Sequence, residues 1–147
     1  MKQIKLSEFI QEYPVGENIK FYFNSCKEVA EIIEKEFPNK SITFWCRGSS
    51  GAMISALVCQ HLGDVNIFHV KKQNEISHYS SIDRYNEINI IIDDLMSTGE
   101  TVDCIYQKMI EKNSKVHSVI MIGGIKISKI QSLIPYEIQL IVGGDII

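Results

Sequence analysis

The sequence predicts a single-domain α/β protein whose mostly parallel, twisted β-sheet is flanked by helices. Three apolar segments rich in β-branched residues predict strands, at Ile42–Cys46, Ile88–Ile92 and Val116–Ile122. The first two run directly into short loops of small polar residues, and each loop is followed by an apolar helical pattern. Strands that alternate with helices form right-handed β-α-β crossovers, which place the strands parallel to one another.

The first forty residues carry weaker signals. A short helix is expected around Leu6–Gln11, and the alternating, aromatic-rich segment Ile19–Phe23 predicts a strand. The segment Ser25–Glu28 matches a capping box, so a helix is expected to begin there. Pro38 would end that helix.

The central part of the chain continues the alternation. An Ala/Met/Leu/Val-rich helix is expected at about 52–61, and Val65–Val70 predicts a further strand. The polar segment Gln73–Glu87 follows. A loop of this length inside a compact domain is usually functional or mobile.

The segment from Ile88 to Val102 organises the chain. Its apolar strand ends in two adjacent carboxylates, Asp93 and Asp94, and an amphipathic helix follows a small polar loop. Gly99 allows close approach to an anion, and a helix N-terminus offers unpaired N–H groups. Because a carboxylate repels phosphate, we expect Glu100 to point outward, in the first turn of the helix. The loop also supplies three hydroxyl groups, those of Ser97, Thr98 and Thr101.

The C-terminal part predicts two further elements after Val116–Ile122. Ser128 can cap a short helix, and Ile138–Val142 is expected to be the last strand.

Composition narrows the function classes. The chain has 147 residues, 45% of them hydrophobic and 22% charged, which suits one domain with a real core. The net charge of -3 argues against a surface for duplex nucleic acid. No apolar segment is long enough for a membrane span, and the first residues do not resemble a signal peptide. The four cysteines are widely spaced, which predicts reduced packing residues in a cytoplasmic protein and argues against a zinc site.

The loop after the first central strand reads Arg47-Gly48-Ser49-Ser50-Gly51. It is not a Walker phosphate loop, because no Gly-Lys-Ser/Thr follows at the required spacing. It is not a G-x-S-x-G nucleophile elbow either, because position 52 is alanine. The loop taken by itself is also compatible with a plain β–α turn.

Together these segments resemble the type I phosphoribosyltransferase family. The segment Ile90–Val102 is similar to that family's motif for phosphoribosyl pyrophosphate (PRPP), and Arg47–Gly51 resembles its pyrophosphate loop. The resemblance covers about residues 42–122. It implies that residues 1–147 form one phosphoribosyltransferase-like domain, in which about residues 1–40 supply a small, variable hood over the base.

The resemblance also implies roles for individual residues. Asp93 and Asp94 would hold the ribose hydroxyls, and Arg47 and Lys71 would join them in catalysis. Mg²⁺ would bind mainly through PRPP, with Asp93 or Asp94 nearby. The remaining ligand contacts would come from the two loops and the segment between them, at Gly48, Ser49, Ser50, Gly51, Lys72, His78, Ser97, Thr98, Gly99, Glu100 and Thr101.

The implied reaction is transfer of a 5-phosphoribosyl group from PRPP to a nitrogenous base, with release of pyrophosphate. Family members commonly form homodimers, so a homodimer is expected. Three alternatives remain. In the first, the chain is a PRPP- or nucleotide-binding regulator that does not catalyse the transfer. In the second, it is a phosphate-binding α/β protein with a metal at the acid pair. In the third, it is an ordinary α/β protein in which Asp94 or Ser97 merely caps a helix.

Overall fold

The structure is a computed structural model that describes residues 17–63, 65–72, 75–76, 80, 88–94, 99–125, 138–143 and 145–146. Three helices and seven strands occur in these ranges. The helices are α1 (Glu17–Glu36), α2 (Gly48–Cys59) and α3 (Glu100–Glu111). The strands are β1 (Ile42–Arg47), β2 (Val65–Val70), β3 (Ile88–Asp93), β4 (Ser118–Met121), β5 (Gly124–Ile125), β6 (Gln139–Val142) and β7 (Asp145–Ile146).

The main sheet has five strands in the order β2-β1-β3-β4-β6, and every neighbouring pair is parallel. This confirms the predicted fold class. Strand β1 lies between β2 and β3, so the chain leaves β1 toward one edge of the sheet and later returns to its other side. Such a reversal of strand order opens a crevice at the carboxyl ends of the two strands, where α/β proteins bind ligands.

The central strands are apolar on both sides because helices cover both faces of the sheet. Along β3, Ile90 and Ile92 point toward the core shared with α1 and α2, whereas Ile91 points toward the core shared with α3. Strand β1 alternates in the same way, with Trp45 on the α3 side. The alternation follows from the two-residue period of an extended chain.

A buried polar contact fixes β1 against β3. The indole Nε1 of Trp45 donates to Oδ1 of Asn89 at 2.9 Å, and Asn89 is only 6% exposed. The backbone N–H of Asn89 in turn donates to Nδ1 of His117 at 3.1 Å. Because both strands are held in this register, their carboxyl ends, at Arg47 and Asp93, meet at one edge of the sheet.

The N-terminal strand prediction is wrong. Residues 19–23 lie within α1, and the predicted capping segment Ser25–Glu28 lies in the middle of that helix. The helix buries Cys26, Val29 and Ile33, which are spaced by three and four residues. Cys26 lies inside the predicted capping segment, so the buried face runs through it without a break. The period of the buried face therefore outweighs the local alternation and the capping pattern.

Several boundaries also differ. Helix α2 begins at Gly48, four residues earlier than predicted, because the small polar loop forms its first turn. The strand predicted to be the last one is followed by β7, which pairs with β5 in a second, two-stranded parallel sheet. The helices expected around Leu6–Gln11 and after Ser128 fall outside the described residues.

Three of the cysteines, Cys26, Cys46 and Cys59, pack in or against the core on the α1 and α2 side of the sheet. All four are free thiols, and Cys26 and Cys46 are buried. Burial raises the pKa of the Cys46 thiol to about 12, so this group stays protonated and unreactive at neutral pH. Within the ranges given above, no helix has both the length and the apolar character that a membrane crossing requires.

Candidate active site

Several of the sequence-predicted site residues lie at the carboxyl ends of β1, β2 and β3. Arg47 ends β1, Lys72 follows β2, and Asp93 ends β3. This is the edge at which the strand order reverses. The fold therefore brings Arg47 and Asp93 to the same edge of the sheet, although they are more than forty residues apart.

Asp93 is a buried carboxylate at the end of β3. It is 5% exposed, and its Oδ1 accepts the backbone N–H of Asp94 at 2.9 Å. Burial, followed by the hydrogen bond to the Asp94 side chain, raises the pKa of Asp93 to about 7. The positive charge of Lys72 acts in the opposite direction on this pKa. Asp93 therefore holds a proton more readily than an ordinary carboxyl, and a bound cation would favour its ionised form.

Asp94 lies at the point where β3 ends and the backbone bends. The carbonyl of Asp93 accepts the N–H of Ile122 at 3.0 Å, and the carbonyl of Asp94 accepts the N–H of Gly123. Backbone pairing with the β4 segment thus holds both acidic residues.

The Arg47–Gly51 segment is the N-terminus of α2. Gly48 has a φ of 72°, a left-handed conformation that suits glycine. Gly51 is buried, and a Cβ added there would lie 3.7 Å from Oδ1 of Asp93. Ser49 is exposed and Ser50 is half-buried. The first N–H groups of a helix lack acceptors within the helix, so this turn presents donors and a positive dipole end to an anion.

Positive charge borders the same turn. One terminal nitrogen of the Arg47 guanidinium donates to the carbonyl of Lys72 at 2.7 Å. The Nε of Arg47 is buried and has no hydrogen-bond partner among the described residues. The Lys72 side chain lies over Gly48, where an added Cβ would be 3.0 Å from its Cε. Lys71 is exposed, and its backbone N–H donates to the backbone carbonyl of Glu75 at 2.7 Å.

The other loop begins α3. Gly99 precedes the helix with a φ of 89°, again in the left-handed region, and its carbonyl accepts the N–H of Asp103 at 2.9 Å. Glu100 is exposed in the first helical turn, as predicted, and Thr101 is half-buried. The predicted contacts at His78, Ser97 and Thr98 fall outside the described residues.

Sequence reasoning missed Tyr22. This residue is on α1, yet its hydroxyl lies 3.0 Å from the position of a Cβ added at Gly123. The same added Cβ would contact the carbonyl of Asp94, so the hydroxyl lies near the acid pair. Burial and then the charges of Asp94 and Asp93 raise the pKa of the Tyr22 phenol. A helical reading of residues 17–36 would have put Tyr22 on the buried face, four residues before Cys26.

His69 was also missed. Its Nε2 lies 2.7 Å from the carbonyl oxygen of Gly48, so a β2 side chain touches the first residue of the α2 turn. The sequence offers little signal for this contact, because His69 occupies an ordinary alternating position of a predicted strand.

The crevice therefore combines two carboxylates, a turn of backbone donors and two cationic side chains. Carboxylates can accept sugar hydroxyls or hold an oxygen-coordinated cation such as Mg²⁺. The donors and cations suit phosphate or pyrophosphate. No group of three or more metal-binding side chains occurs in the described part of the chain.

Comparison of the sequence with protein-family models gave no match. Comparison with curated protein sequences gave none either.

Solved structures are similar in fold. A hypoxanthine-guanine phosphoribosyltransferase from Bacillus anthracis superposes with a TM-score of 0.63 at 16% identity, covering 87% of this chain and 78% of that one. A purine phosphoribosyltransferase from Pyrococcus horikoshii gives 0.58 at 16% identity and covers 86% of both chains. A hypothetical protein from Neisseria gonorrhoeae with bound ppGpp gives 0.63 at 13% identity, covering 86% and 78%. The chain thus has the fold of the type I phosphoribosyltransferases.

Proposed function

We propose that this protein is a phosphoribosyltransferase that moves the 5-phosphoribosyl group of PRPP to a nitrogenous base and releases pyrophosphate. One observation carries the proposal. Asp93, the last residue of β3, lies beside the donor-rich first turn of α2, where a Cβ added at Gly51 would be 3.7 Å from Oδ1 of Asp93. PRPP requires such a combination, because its ribose hydroxyls seek acceptors and its phosphates seek donors and positive charge.

The proposed binding mode follows this division. The loop Ser97–Thr101 would hold the 5′-phosphate at the N-terminus of α3. Asp93 and Asp94 would accept hydrogen bonds from the ribose hydroxyls. The first turn of α2, at Gly48–Gly51, would bind the pyrophosphate, with a lysine at 71 or 72 beside it. The contact of Lys72 with Gly48 supports Lys72 in this position.

The reaction breaks the bond between C1′ of the ribose and the pyrophosphate oxygen, and a ring nitrogen of the base forms the new bond. Positive charge develops on the ribose, and the leaving pyrophosphate carries negative charge. Arg47, Lys72 and the N–H groups of the α2 turn would stabilise that charge. Loss of one such preorganised contact typically costs about 10²–10³ in rate.

The two carboxylates fit Mg²⁺, which prefers oxygen ligands and keeps several waters. Asp93 supplies the supporting observation, since a buried carboxylate with a raised pKa is stabilised in its ionised form by a nearby cation. Bound together with PRPP, Mg²⁺ would neutralise part of the pyrophosphate charge. PRPP itself would provide most of its ligands.

A purine base is the acceptor that we propose, because the structural neighbours include hypoxanthine-guanine and purine phosphoribosyltransferases. A hood formed by about residues 1–40 would contact that base. The hydroxyl of Tyr22, which lies near Asp94, is consistent with a contribution from this part of the chain. We also propose that the protein works as a homodimer in the cytoplasm.

Binding of Mg-PRPP, measured by calorimetry, tests this proposal. We predict that Asp94→Asn and Thr98→Ala abolish binding, whereas Glu36→Gln, an exposed carboxylate at the C-terminal end of α1, leaves it unchanged. Unchanged PRPP binding in both site variants would contradict the assignment. We further expect Arg47→Ala to lower turnover more than it lowers affinity for ribose 5-phosphate, because Arg47 would act on the pyrophosphate.

A nucleotide-binding regulator is the second candidate, and the ppGpp-bound structural neighbour favours it. In that case the same crevice would bind a phosphorylated nucleotide without transferring ribose. Tight ppGpp binding, together with no base-dependent consumption of PRPP, would select this function. Base-dependent consumption of PRPP would select the transferase.

A further inference from the structure

A side chain of the edge strand β2 contacts the first turn of α2 (Gly48–Gly51, the α2 turn). Nε2 of His69 lies 2.7 Å from the carbonyl oxygen of Gly48. A carbonyl oxygen only accepts hydrogen bonds, so Nε2 must carry the proton and donate it. The contact therefore selects a protonated Nε2 and ties the end of β2 to the first residue of α2.

Gly48 is a conformationally permissive position in the α2 turn. Its φ of 72° places it in the left-handed region, where a glycine backbone is conformationally permissive. The Lys72 side chain covers its Cα, and Arg47 just before it donates to the carbonyl of Lys72. His69 fixes the carbonyl and hence the plane of the Gly48–Ser49 peptide, which decides where the N–H of Ser49 points.

His69 is itself held by the long segment that follows β2. The hydroxyl of Ser80 accepts the backbone N–H of His69 at 2.7 Å and donates to its carbonyl at 3.0 Å. The Ser80 side chain thus provides hydrogen bonds for both the N–H and the carbonyl of His69, on the edge strand of the sheet. Ile76 forms an antiparallel bridge with Val70, so Ile76 also lies beside the end of β2.

We propose that His69 is a positioning residue for pyrophosphate, and that Ser80 holds His69 in place. The hydrogen bond from His69 to Gly48 orients the N–H groups of the α2 turn before the ligand arrives. Preorganised donors bind a charged ligand more tightly than donors that must reorient. This inference rests on the proposed function, because it assigns pyrophosphate to the α2 turn.

The reach of the side chain provides a matched pair of variants. His69→Gln retains an N–H donor at about the distance of Nε2, whereas the amide of His69→Asn is too short to reach Gly48. We expect His69→Asn to weaken binding of Mg-pyrophosphate about tenfold, the size expected for losing one hydrogen bond. His69→Gln should stay within about threefold of the native protein, since it keeps the donor. His61→Asn, at an exposed position after α2, controls for the substitution itself.

Ribose 5-phosphate is the reference ligand, because it carries the 5′-phosphate and the ribose hydroxyls but no pyrophosphate. Its affinity should be the same in all three variants. Equal weakening of both ligands by His69→Asn would show a general structural role and overturn the proposal. An unchanged affinity for pyrophosphate would overturn it as well.

A double-mutant cycle tests the link to Ser80. If Ser80 acts through His69, Ser80→Ala should weaken pyrophosphate binding in the native protein but add nothing to His69→Asn. Additive losses would refute the link. If the native protein binds neither PRPP nor pyrophosphate, the proposed function fails and this inference fails with it. If the native protein binds both and His69→Asn is silent, only the inference fails.

Discussion

Asp93 gives the most quantitative prediction. Replacing Asp93 with asparagine keeps the size of the side chain and the oxygen that accepts the Asp94 N–H. It removes the group whose pKa burial raises from 3.8 to about 7. The variant should therefore lose the dependence of stability on pH that this carboxyl imposes on the native protein.

The direction follows from proton binding. Between about pH 4 and pH 7 the folded state holds a proton on Asp93 that the unfolded state has released. The free energy of unfolding of the native protein therefore falls as the pH rises through this window. Each pH unit contributes about 1.4 kcal/mol, so the full effect approaches about 4 kcal/mol above pH 7.

Urea unfolding without Mg²⁺ measures this effect. Trp45 is fully buried and stacks on Phe68 at 4.3 Å between ring centroids, so its fluorescence should report unfolding. The stability of Asp93→Asn relative to the native protein should increase by several kcal/mol from pH 4 to pH 8. The exposed control Glu36→Gln should show no such trend. A constant difference between Asp93→Asn and the native protein across this range would refute the reasoning.

Two further predictions concern stability. Gly123→Ala would place a Cβ 2.5 Å from the carbonyl oxygen of Asp94, a backbone atom that cannot move aside, so we expect a loss of about 1–3 kcal/mol in urea unfolding. Gly63→Ala meets no described atom within 4 Å and should be neutral; equal effects would contradict the packing argument. Trp45→Phe leaves the buried side-chain oxygen of Asn89 without its indole donor. We expect this variant to lose about 1–3 kcal/mol of unfolding free energy, measured by urea unfolding with circular dichroism as the signal. An unchanged midpoint would show that this hydrogen bond contributes nothing.

The sequence predicted the centre of the fold well because its signals there are redundant. In β3, six consecutive buried residues combine β-branched side chains with a terminal acid, and a periodic helix follows. Strand β2 was predicted with its observed bounds, Val65–Val70. Local propensity and burial favour the same structure in these segments, so local sequence patterns were enough to predict them.

The N-terminal segment failed because two local patterns conflicted with a longer one. Alternating residues at 19–23 favoured a strand, and Ser25–Glu28 favoured a helix start. The helix face that begins at Tyr22 and continues through Ile33 has to pack against α2, and this tertiary contact decides the outcome. Periodicity over twenty residues is stronger evidence than either short pattern.

The parts of the candidate site that lie within one loop could be predicted from the sequence. The acid pair and the glycine turn stand out in the sequence, and the parallel sheet brings them together. The contacts of Tyr22 and His69 arise between elements distant in sequence, and no local pattern marks them. Predicting them requires strand order and register, which the sequence alone does not specify residue by residue.

The central claim is the transfer of ribose phosphate to a base, and its most direct measurement is release of pyrophosphate from Mg-PRPP in the presence of single nucleobases. We predict release that depends on one or more purines, equals the amount of nucleotide formed, and is lost in Asp94→Asn. Tight binding of PRPP with no release for any base would contradict the transferase claim and favour the nucleotide-binding regulator.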